Sequence, residues 1–182
     1  MSEVTSTIEM FVEGLVLDST TQTPVVLLRS DDSSTHIPIW IGPTEATAIA
    51  IALQGIEMPR PLTHDLMFSV FNELGVKLDK VIITSLQEST YIAEMVLTKG
   101  DKTFIIDSRP SDAIAFALRA STPIFVATEV VEQAKVVPKI IDSDETEEQQ
   151  VDDLVRDFQQ VDKKDWTEVL EKLTPEDFKF KM

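Results

Sequence analysis

A chain of 182 residues with 43% hydrophobic content can bury one sizeable core but not two large ones. Its formal net charge of −16 offers phosphate no mean attraction, which weighs against a protein that simply coats nucleic acid. The absence of cysteine excludes disulfides, thiolate zinc sites and cysteine nucleophiles, so any metal must be a hard ion such as magnesium, manganese or calcium, held by carboxylates, carbonyls or histidine.

The opening Met1 to Thr7 is polar, with no basic start leading into an apolar stretch. No apolar run reaches the roughly 18 residues of a membrane span, so a cytoplasmic protein without membrane contact is expected. Ile8 to Asp18, Pro24 to Arg29 and His36 to Ile41 are rich in apolar and β-favouring types, and polar clusters between them predict three strands in hairpin connection. Gly42 and Pro43 end the third strand and open a helix that runs to about Gln54, where Gly55 stops it. Two prolines, Pro59 and Pro61, favour an extended link. Thr63 then reads as the cap of a helix from His64 to Leu74, with Leu66, Met67, Val70, Phe71 and Leu74 as its apolar stripe.

Strands are predicted again over Val76 to Thr84, Tyr91 to Lys99 and Thr103 to Asp107, before Pro110 opens another helix. Pro123 to Ala127 reads as a short strand and Glu129 to Lys135 as a helical turn. From residue 139 the chain carries 14 acids against 7 bases, and a boundary is expected there. This gives a principal domain over 1–138 and, over 139–182, an acidic linker with an amphipathic helical tail. Val151, Leu154, Val155, Phe158 and Val161 set the spacing of that tail.

The phrase Pro43, Thr44, Glu45, Ala46 returns 67 residues later as Pro110, Ser111, Asp112, Ala113, and alanines follow in both copies. The same offset carries Ile37 to Phe104 and Ile39 to Ile106. The chain therefore reads as a duplicated unit of three strands and a helix. Two copies are too few for a solenoid, and an α+β domain with a mixed, mostly antiparallel sheet is expected, the two halves side by side and helices packed on it.

Chemistry concentrates in two places. Each repeated helix start exposes backbone amides able to hold an anion, and each brings its own acid, Glu45 or Asp112. Only the second copy adds Arg109 and Asp107, and Gly42 stands where the second copy has Arg109, so the first copy reads as structural. The other place is Arg60, Thr63, His64 and Asp65, which offer a phosphate fork, a hydroxyl, a titrating base and a carboxylate within six residues. His36 lies among apolar strand residues and reads as a core histidine.

Ile37 to Gly42, Glu45, Ala46 and the run Pro59 to Leu66, with Asp107 to Ala115 as a second block, resemble the bacterial and plant bifunctional nuclease domain family. The resemblance covers roughly Met10 to Lys135. It implies an α+β domain, frequently homo-oligomeric, with nuclease activity on DNA and RNA in some plant members.

On that reading a metal-assisted phosphodiesterase would use His64, Asp65, Arg109 and Asp112 in catalysis. Arg60, Thr63 and Ser111 would bind substrate. Glu45 and Asp107 would hold magnesium, manganese or calcium, with no organic cofactor. The alternatives are a non-catalytic oligomeric module, in which Arg60 with Asp65 and Arg109 with Asp112 are structural ion pairs, or a small nucleotide phosphodiesterase.

Overall fold

A computed structural model describes residues 6–18 and 21–134. The boundary expected at residue 138 and the amphipathic tail lie outside the described residues. In chain order the elements are β1 (Thr7–Leu17), β2 (Pro24–Ser30), β3 (His36–Trp40), α1 (Pro43–Gln54), α2 (Thr63–Glu73), β4 (Lys77–Gln87), β5 (Thr90–Lys99), β6 (Lys102–Ser108), α3 (Pro110–Ala120), β7 (Ile124–Ala127) and α4 (Thr128–Ala134). The fold is α+β, as expected.

One sheet of seven strands runs β3-β2-β1-β7-β4-β5-β6. Within each half the strands are antiparallel, and β7 lies between the halves, antiparallel to β1 and parallel to β4. It follows that β1 and β4 run in opposite directions, and the two copies are related by a half-turn about an axis normal to the sheet. Such a rotation keeps each helix on the same face. α1 and α3 accordingly pack against each other, and α2 packs on α3.

The core lies between this helical layer and one face of the sheet. Leu28, Ile37, Val81, Ile83 and Val126 enter it from the strands, with Ile49, Ile114 and Phe116 from the helices. Phe116 is fully buried and takes the edges of Phe68 and Phe71 at 6.0 and 5.0 Å between ring centroids. These rings correct the stripe expected on α2. Met67, Phe68 and Phe71 are partly buried against the core, whereas Leu66, Val70 and Leu74, four residues apart along the other side, stay exposed.

The sheet also curls until its third strand meets its fifth. Tyr91 at the start of β5 donates its hydroxyl proton to the Pro38 carbonyl of β3 at 3.0 Å. Proline suits this strand at the edge of the sheet because it has no N–H to leave unpaired. Burial pushes the Tyr91 phenol up to about 12, so it stays a donor at every physiological pH.

The repeat is not symmetric in burial. Ile37 and Ile39 are covered, and α4 reaches β3. Their counterparts Phe104 and Ile106 on β6 are each 43% exposed, with Ile105 at 63% on the opposite face. Truncating the ring at the heart of the helical layer, Phe116→Ala, should cost about 3–5 kcal/mol of stability. Urea unfolding followed by circular dichroism measures it.

Candidate active site

The half-turn that relates the copies brings the starts of α1 and α3 to one place. Glu45 and Asp112 are the third residues of their helices and occupy equivalent positions in the repeat. Both carboxylates hold the same side chain. Arg109 reaches Glu45 Oε1 through Nη1 at 2.9 Å and Asp112 Oδ2 through Nε at 2.7 Å. The residue equivalent to Arg109 is Gly42, and the Glu45 carboxylate folds over it, occupying the space a Cβ would need. A side chain at that position would have to push this flexible carboxylate aside, and as it stands one guanidinium serves two equivalent acids. Glu45, from the first copy, thus enters the same ion-pair network as Asp112.

Asp112 also binds His64, whose Nε2 lies 3.1 Å from Oδ1. An ionised carboxylate only accepts, so the imidazole donates from Nε2. Burial pushes the Asp112 carboxyl up, but the hydrogen bonds from Arg109 and His64 outweigh it and hold the group below its ordinary value. The hydrogen bond to Asp112 raises Arg109 above the ordinary arginine value. Partial burial opposes this, and the Asp112 and Glu45 charges reinforce it.

Asp65 belongs to a neighbouring knot. Its Oδ2 accepts the Leu62 N–H at 2.9 Å, so Leu62 caps α2 and Thr63 is the first helical residue rather than the expected cap. The physical reason is that a carboxylate at the third position reaches back to the cap amide without help from a hydroxyl. The other oxygen, Oδ1, takes Arg119 Nε. Arg119 is a buried residue of α3 that also donates from Nη1 to the Ala48 carbonyl of α1 at 3.1 Å and to the Ala115 carbonyl at 2.8 Å. A single guanidinium thus ties α1, α2 and α3 together, and its Nη2 has no partner among the described residues. Burial raises the Asp65 carboxyl, and the bonds from Arg119 and the Leu62 amide pull it back below its ordinary value.

The expected pair of Arg60 with Asp65 is therefore replaced by Arg119 with Asp65. Arg60 is exposed and has no side-chain partner among the described residues. Asp107 lies on β6 opposite Glu94, exposed, and takes no part in the Arg109 ion pairs. His36 is buried and binds Glu13 at 3.0 Å, as a core histidine should. Arg119 escaped the sequence reading although a lone cation follows an otherwise apolar run on α3, which is the signal that could have found it.

Beside this network lies a cleft of about 740 Å³, walled by Trp40, Glu45, Thr90, Tyr91, Arg109 and Ser111. The volume falls in the range of about 300–1,000 Å³ typical of small-ligand sites. His64 and Asp112 do not line it and stand behind Arg109, so they can act on the cleft only by positioning that arginine.

The site is thus an arginine shared between two helix starts, beside a cleft, on a duplicated α+β sheet. A family model described as the bifunctional nuclease domain matches residues 26–139, and the chain belongs to that family. It is 39% identical over 171 residues to an uncharacterized protein of Mycobacterium tuberculosis strain H37Rv, covering 94% of this chain and 98% of that protein. It is also 33% identical over 112 residues to bifunctional nuclease 2 of Oryza sativa subsp. japonica, and 30% identical over 105 residues to bifunctional nuclease 2 of Arabidopsis thaliana. Those matches cover 60% and 56% of this chain but only 34% and 32% of the plant proteins.

The depressed carboxyls fix the sign of an acid response. Groups held below their ordinary 3.8 when folded stabilise the protein above that pH and lose the contribution as pH falls through the folded values. Asp65→Asn leaves Arg119 buried without its counter-charge and should cost about 3 kcal/mol near neutrality. The gap to wild type should narrow steadily below about pH 4, where the wild-type carboxylate protonates as well. Thermal unfolding of both proteins across that range is the measurement.

Proposed function

We propose that the protein is a nuclease that hydrolyses phosphodiester bonds of DNA, RNA or both in the cleft beside Arg109. The observation that carries this reading is the pairing of Glu45 and Arg109 in the wall of one cleft, each from a different copy of the repeat. Arg109 is 64% exposed at its side chain, and Nη2 is free of the two ion pairs, leaving it able to hold a phosphoryl oxygen. Glu45 is the carboxylate placed to take a proton from an attacking water. The water oxygen then bonds to phosphorus while the bond to the leaving oxygen breaks, and that oxygen takes up a proton from Glu45 or solvent, which restores the carboxylate. His64 and Asp112 keep the guanidinium in position.

A divalent ion does not suit these donors as they stand. Glu45 and Asp112 are both engaged by Arg109, and no group of three His, Asp or Glu side chains able to hold a metal occurs among the described residues. Magnesium, manganese or calcium therefore enters the proposal as a competitor of Arg109 for the two carboxylates. In a non-catalytic module the same ion pairs would act only as struts. A loss of cleavage without loss of fold separates the two roles.

With purified protein assayed on single-stranded DNA and RNA, in chelator and in each of the three ions, Arg109→Ala should lower cleavage about 100-fold while circular dichroism stays unchanged. Cleavage at the wild-type rate by that variant would sink the assignment.

We also propose that the chain forms a homodimer through β6. Support comes from the broken symmetry of burial: the row of Phe104 and Ile106 is open where Ile37 and Ile39 are covered, on a strand that ends the sheet. Sedimentation equilibrium should find a dimer for wild type and a monomer for Phe104→Glu combined with Ile106→Glu. A monomeric wild-type protein refutes the assembly.

A further inference from the structure

The cleft contains an aromatic group that the hydrolytic reading leaves unused. Trp40 is 48% exposed at the end of β3, on the cleft wall. Its indole N–H donates to Asp18 Oδ2 at 3.0 Å, which fixes the ring while leaving much of its surface bare. An exposed tryptophan that is also tethered is a prepared surface for another flat ring, because little rotamer freedom is lost when that ring arrives.

Two polar groups complete the cleft. Ser111 is only 7% exposed and lines it, yet its hydroxyl has no hydrogen-bond partner among the described residues. A hydroxyl on the cleft wall can donate to an incoming oxygen. Arg109 stands two residues away in the chain, with donors beyond those used by Glu45 and Asp112. The cleft thus offers an aromatic face, an unpaired hydroxyl and a cation, which match the base and the phosphate of a nucleotide.

Resting on the nuclease reading above, we infer that the cleft seats one unpaired nucleotide of a single strand, its base against Trp40 and its phosphate on Arg109 and Ser111. A duplex keeps its base faces stacked inside the helix and has none to offer Trp40 without first unstacking. Net charge supports the same limit. A chain of net charge −16 repels a long polyanion, so its grip on nucleic acid is local and confined to the phosphate nearest Arg109.

The test uses the full chain with Trp166→Phe, which leaves Trp40 as the only tryptophan, in chelator so that binding is read apart from cleavage. Short oligothymidylate and oligouridylate strands should quench Trp40 fluorescence saturably, the two arms reporting on DNA and RNA, while a blunt duplex should not. By anisotropy of a labelled strand, Trp40→Ala should bind about tenfold more weakly, the order of one lost base stack, and Trp40→Phe should recover most of it. The logarithm of the binding constant should fall with that of salt at a slope of about −0.7, the value for a single phosphate contact on a single strand.

Equal quenching by the duplex, unchanged binding by Trp40→Ala, or a slope several times steeper would overturn the inference. Selective binding without cleavage in any ion would uphold the nucleotide seat and refute the nuclease reading.

Discussion

Turning one half of a sheet onto the other about its normal brings equivalent residues together, and equivalent residues carry like charge. That constraint governs this molecule. Glu45 and Asp112 descend from the same position of a duplicated unit, and the half-turn that packs α1 on α3 places both at one junction. Two ionised carboxylates at one junction repel each other unless a cation stands between them. Arg109 is that cation, and it exists in only one copy; over its counterpart, Gly42, lies the Glu45 carboxylate. The duplicated unit is asymmetric at this residue, where its two copies meet.

The asymmetry then spreads outward. His64 adds a donor to Asp112 from α2, and about two turns along α3, Arg119 fastens α2 to the other two helices through Asp65 and Ala48. This second arginine is buried, whereas the first is open to solvent, so the two have different consequences. Arg119 is a matter of stability, since its charge has no solvent to fall back on. Arg109 is cheaper to perturb and lies against the cleft, which makes it the group available for chemistry.

Much of the local structure was legible in the sequence because its signals are local. Proline at Pro43 and Pro110 opens helices, Gly55 ends one with a left-handed turn, and β-branched runs form the strands. The 67-residue repeat also announced two halves of one domain. What it could not disclose is where β7 goes. Ile124 to Ala127 is too short to carry a partner preference, and its place between β1 and β4 follows from the half-turn of the whole copy. The site was half legible for the same reason. Arg109 with Asp112 is a contact within one turn of helix, but Glu45 with Arg109 and Asp65 with Arg119 join residues more than fifty positions apart, and sequence proximity had paired Asp65 with Arg60 instead.

The strand that joins the halves is also the last strand along the described chain. Thr7 finds its partner only at Ala127, and Val81, paired with Met95 on one side, finds its other neighbour only at Ile124. While the chain emerges from the ribosome, each half can form its own antiparallel triplet, but the inner edges of β1 and β4 stay open until Ile124 to Ala127 arrives. Loop-closure entropy makes that final step slow relative to hairpin formation. For as long as it takes, the nascent protein carries two unpaired strand edges of its own making, each able to accept a strand from another chain in place of β7.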